Sequence, residues 1–178
     1  MINFRKYLIP LQESLINSIS RFESENPDIH WSNVAFEVLP YYGSIYISFD
    51  TPEHSEKQIA KYPKWYGEDE LGKFNNSPGD FAFPIFTELE FTEWEEEYFS
   101  EGKYHAQTLT GERVDIEEES PELDIHSTHN FLVLELFKCV IEDSLDEVKR
   151  VSINHLPNAR VGVHSGECDF EYFAKLPR

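Results

Sequence analysis

Hydrophobic positions recur in the N-terminal segment at steps of three and four. Phe4, Leu8, Leu11, Leu15, Ile19 and Phe22 trace one face of an amphipathic helix. Pro10 lacks a backbone donor, so the helix proper begins near it or kinks there, and Asn26-Pro27-Asp28 ends it. The period then drops to two. Val34, Phe36 and Val38, and after them Ile45, Ile47 and Phe49, alternate with other residues across the turn Pro40-Tyr41-Tyr42-Gly43, which predicts a β-hairpin. Thr51-Pro52-Glu53 carries the signature of a helix start, with Thr51 as cap and Pro52 in the first turn, and that helix ends near Tyr62-Pro63.

Farther along, Lys64 to Asp80 reads as an irregular surface loop and Phe81 to Phe86 as a short extended segment. Thr92 to Phe99 reads as a short helix with a capping box from Thr92 to Glu95, and Glu112 to Asp124 as an acidic connection. A second long helix is predicted over His129–Val151, with Phe131, Leu134, Phe137, Ile141, Leu145 and Val148 on its apolar face, broadened by Leu136 and Val140. Arg160 to His164 reads as the last strand. These elements predict one α+β domain over residues 1–178, an antiparallel sheet with its hairpin packed against two main helices.

Charge narrows the possible partners. Thirty-four acids against fifteen Lys and Arg leave a net charge of −19. Such a surface repels nucleic-acid phosphates and anionic membranes, and suits a basic protein. The imbalance concentrates between Phe86 and Asp124, where fourteen acids face only Lys103 and Arg113. Within that stretch Phe91, Trp94 and Tyr98 share a helical face, the pattern of a core stripe backed by a solvated acidic surface. The competing reading is a protein-binding surface whose charges steer a basic partner, with Glu95, Glu96, Glu97, Glu117, Glu118 and Glu119 as candidate partner-binding residues and Trp65 and Tyr66 as aromatic anchors in the neighbouring loop.

Chemistry-bearing motifs are sparse. The sequence contains no phosphate-binding loop, dinucleotide fingerprint or nucleophile elbow, and no cofactor is expected. Asp124, His126 and His129 are the one cluster with metal-ligand character, although Ser127 and Thr128 serve equally well as helix caps; the alternatives to a binding domain are a metal-assisted hydrolase using that cluster and an acidic domain without catalysis whose charge serves solubility. Cys139 and Cys168 fit no metal or redox spacing. Without a signal-peptide pattern or a long apolar run, the expected location is the cytoplasm.

The layout as a whole resembles a known group. An amphipathic N-terminal helix, the aromatic hairpin Tyr41-Tyr42-Gly43-Ser44-Ile45-Tyr46-Ile47-Ser48-Phe49-Asp50-Thr51, and Trp94-Glu95 heading an acidic helix together resemble small bacterial immunity and immunity-like domains of polymorphic-toxin neighbourhoods. The likeness is one of layout across most of the chain and carries over no functional residue. It implies an inhibitor that binds a secreted toxin, often a basic nuclease, and covers its active site.

Overall fold

The computed structural model describes residues 1–62, 75–94, 103–117 and 128–177. The chain opens with a short strand β1 (Ile2–Asn3), a 3-10 turn (Phe4–Tyr7) and helix α1 (Leu8–Glu25). Pro10 falls in the first turn of α1, where a backbone N–H has no intrahelical acceptor, so its missing donor costs nothing there. The predicted face is the buried one: Phe4, Leu11, Leu15, Ile19 and Phe22 are fully enclosed.

The hairpin forms as β2 (Trp31–Leu39) and β3 (Ser44–Asp50), in a register that pairs Val34 with Phe49, Phe36 with Ile47 and Val38 with Ile45. Helix α2 (Pro52–Lys61) follows, its first turn capped by the Thr51 hydroxyl, which accepts the His54 N–H. A 3-10 turn (Pro78–Asp80) leads into β4 (Phe83–Glu90), after which residues 92–94 are helical. Next come β5 (Lys103–Gln107), β6 (Arg113–Glu117), helix α3 (Thr128–Val151), β7 (His155–Ser165) and β8 (Phe170–Lys175).

Two sheets result, in the orders β4-β3-β2-β7-β8 and β1-β5-β6. The architecture is α+β, with both long helices packed on sheets, but the sheets are mixed rather than purely antiparallel. β7 runs parallel to β2, and β1 parallel to β5. Parallel neighbours need a long crossover, and the chain between β2 and β7, which includes α3, supplies one. Three further expectations are corrected. Arg113–Glu117, expected within a loop, is a strand whose Val114 and Ile116 turn toward the core. The strand around Arg160–His164 is longer than expected, and β8 follows it. On α3 the buried stripe runs through Val133, Phe137, Val140, Ile141, Ser144 and Val148, while Phe131 is 58% exposed and Leu134 and Leu145 are half-buried. The apolar residues of α3 span more than half its circumference, and small Ser144 joins the stripe that packs inward.

One face of the large sheet meets the helices, with Phe22 stacked on Phe49 at 4.1 Å and Phe36 against Phe137 at 5.0 Å. The opposite face is polar. There Asn33, Asp50 and Arg160 are buried and bonded to the segment 75–82, and the buried Ser48 hydroxyl accepts the Ile85 N–H at 3.0 Å. No described helix is long and apolar enough to cross a membrane.

Candidate functional site

Most of the residues singled out from the sequence, Glu95, Glu96, Glu97, Glu118, Glu119, Trp65 and Tyr66, lie outside the described residues, as do Asp124, His126 and Ser127. Glu117 ends β6, where its backbone pairs with Lys103. Other acids of the same stretch are placed: Glu88 and Glu90 on β4, Glu93 after it, and Glu112 and Asp115 around the start of β6 are all exposed. Its described aromatics Phe91 and Trp94 turn the other way. Trp94 is fully buried and packs edge-on against Phe4 and Tyr7, and Phe91 lies half-buried against Tyr7.

His129 lies in the first turn of α3, entirely buried, with Nε2 at 2.8 Å from the carbonyl oxygen of Pro40. Burial pushes its pKa down to about 4, against the opposing pull of that carbonyl. The neutral ring therefore donates from Nε2, so that nitrogen offers no lone pair to a metal. Among the described residues, no group of three His, Cys, Asp or Glu side chains is placed to share a metal ion.

The feature that sequence reasoning missed is a groove at one end of the large sheet. β2 and β7 pair at Trp31–His155 and again at Asn33–Arg160, with a break in register between them. Across that break β2 offers only Ser32, whereas β7 has Leu156, Pro157, Asn158 and Ala159, so part of β7 loops out of the ladder. Pro157 cannot donate to a ladder and fits such a bulge. The looped residues Leu156, Pro157 and Asn158 line a cavity of about 280 Å³ together with Ser32 and with Pro52, Ser55 and Glu56 of α2. A second, more open depression of about 560 Å³ shares Pro52 and Leu156 with the first and extends past Asp28, His30 and Glu53 to Phe83. Pro52 and Leu156 line both compartments of this groove.

Several polar contacts fix the groove's walls. The Asn75 N–H donates to the Ser55 hydroxyl at 2.8 Å, and Asn33 Nδ2 donates to the Asn75 carbonyl at 3.2 Å. Arg160 donates to Asn33 Oδ1 at 3.1 Å and to Asn76 Oδ1 at 2.7 Å, and its guanidinium lies 4.7 Å over the Phe173 ring. Burial lowers the Arg160 pKa to about 10, partly offset by Glu171. Asp50 holds the adjoining corner. Its Oδ1 accepts the Ala82 N–H at 3.1 Å and lies 2.8 Å from His54 Nδ1, and burial raises its pKa despite those partners. These buried charges tie α2, the sheet and the 75–82 segment together.

Comparison with family models, with curated proteins and with solved structures finds no match.

Proposed function

We propose that this chain is a protein-binding domain whose partner is a basic protein, in the manner of an immunity protein that neutralises a basic toxin. The observation that carries this reading is the orientation of the acidic stretch. Its described carboxylates stand exposed on or beside strands, while its described aromatics are packed inward. Charges held on strands give a fixed field, which steers a cationic partner before contact and excludes anionic ones. With a net charge of −19, the rest of the surface adds to that field.

The test begins with a partner recovered from the native host and proceeds to stopped-flow kinetics with that partner purified. Glu95, Glu96, Glu97, Glu117, Glu118 and Glu119 replaced together by Gln should slow association and leave the fold intact. Raised salt should slow it too, since the Debye length is only about 8 Å at physiological ionic strength. An association rate indifferent to both would reduce the acidity to an aid to solubility.

A further inference from the structure

We infer that the groove between the β7 bulge and the start of α2 is the anchoring site for an extended basic segment of the partner. The inference rests on the reading of this chain as a binder of basic proteins and specifies where the contact is made. Two features select the occupant. The lining offers apolar surface from Pro52, Leu156 and Pro157 beside the polar Ser32, Ser55 and Asn158, and it carries the exposed carboxylates Asp28, Glu53 and Glu56. Neither cavity is lined by a described Lys or Arg. An anionic ligand would find three negative charges and no cation. The start of α2 carries roughly half a positive charge from its peptide dipoles, which the three carboxylates outweigh.

An extended segment suits this mixed lining. Its side chains alternate in direction, so apolar residues can meet Pro52, Leu156 and Pro157 while the Lys or Arg residues between them reach the carboxylates. The groove also depends on a costly local structure. Residues of β7 that could have paired with β2 are looped out of the ladder, and bulges of this kind concentrate beside functional sites.

The experiment uses the whole chain and three capped, fluorescein-labelled hexapeptides: alternating Lys and Leu, alternating Lys and Gly, and alternating Glu and Leu. Anisotropy gives affinity, and amide chemical shifts give location. The Lys-Leu peptide should bind at low salt and shift Ser55, Leu156 and Asn158. The Lys-Gly peptide should bind at least tenfold more weakly and the Glu-Leu peptide not at all. The double variant Glu53→Gln/Glu56→Gln, and separately Asn158→Lys, should each weaken the Lys-Leu peptide at least tenfold. All three positions are exposed, so the fold should survive, and the amide spectrum of each variant checks it. Lys-Leu binding that maps to β4 or β6 and survives both variants overturns the groove while leaving the basic-partner reading intact. Equal binding of the Lys-Leu and Glu-Leu peptides overturns both, and failure of the Lys-Leu peptide to bind at low salt overturns the groove.

Discussion

The Glu23 carboxylate accepts the indole N–H of Trp31 at 3.0 Å, joining the last turn of α1 to the first residue of β2. The same carboxylate also receives the Ser152 hydroxyl, the Ile153 N–H at 2.9 Å and the Asn154 N–H at 3.1 Å, so one side chain pins the α3–β7 turn as well. Because the β7 bulge begins just beyond that turn, Glu23 helps set the end of the groove.

Removing this acceptor should be costly. Glu23→Ala leaves four donors without this acceptor, of which the Trp31 indole and the Ser152 hydroxyl are buried, and each unsatisfied buried donor costs about 1–3 kcal/mol, so we expect a loss of about 2 kcal/mol or more at pH 7 by urea unfolding. Burial alone would raise the carboxyl's pKa, but the donors outweigh it and hold it below the ordinary value. A depressed carboxyl pKa contributes stability above its unfolded value of about 4.3 and loses it as pH falls through the folded value. The gap between wild type and Glu23→Ala should therefore narrow below pH of about 4. A constant gap from pH 7 to 3 would contradict the assignment.

His129 titrates with a different signature. Its pKa falls from 6.5 to about 4 on burial, so the unfolded chain takes up a proton that the folded chain refuses. Stability from this residue is full above pH 6.5 and is lost as pH drops toward 4, a change of about 3 kcal/mol. His129→Gln, which keeps an N–H donor for the Pro40 carbonyl, should flatten the stability profile across that window. Burial also lowers the pKa of His164, against the pull of Asp169, and that residue should supply part of the slope that remains.

Gly162 lies under the ring of Phe173, its partner across the β7–β8 pair, and a Cβ there would stand 2.1 Å from the ring. The ring would have to move, losing its contact with the Arg160 guanidinium. Gly162→Ala should cost about 1–3 kcal/mol in the wild type. In a Phe173→Ala background the clash is gone, and the same change should be close to neutral. Equal costs in both backgrounds would show that the ring is not the obstacle.

The parts of this fold legible in the sequence are those written in local period. Leu11, Leu15, Ile19 and Phe22 announce α1, and the hairpin alternation announces β2 and β3 and the faces their residues take. β8 carries a weaker alternation, Phe170, Tyr172 and Ala174 against Glu171 and Lys175, which Phe173 interrupts. β6 was harder. It contributes only Val114 and Ile116 inward, too few to outweigh its charged neighbours. The parallel pairing of β7 with β2 leaves no local trace. Neither does the burial of Arg160, whose partners Asn33, Asn76 and Phe173 come from three distant segments. The groove depends on both and was invisible for that reason, whereas the acidity of the surface is a count of residues.

Two glycines test how firmly the hairpin turn holds the head of the acidic stretch. Gly43 and Gly111 both adopt positive φ, 67° and 89°, where an alanine pays about 1–2 kcal/mol in strain. Their surroundings differ. A Cβ on Gly111 meets nothing nearer than the flexible Gln107 side chain at 3.7 Å, whereas on Gly43 it would lie 2.2 Å from the backbone oxygen of Phe91. That oxygen cannot swing aside, because the Phe91 N–H donates to the Gly43 carbonyl at 2.9 Å and its C=O accepts the Trp94 N–H at 2.9 Å. Gly111→Ala should cost about the strain alone. Gly43→Ala should cost at least twice as much and pull the Phe91–Trp94 turn away from Phe4 and Tyr7. Urea unfolding gives the ratio, and a red shift of tryptophan emission, present in Gly43→Ala and absent in Gly111→Ala, reports Trp94 leaving the core. Equal costs and unchanged emission would mean that the turn and the acidic stretch are not coupled through this contact.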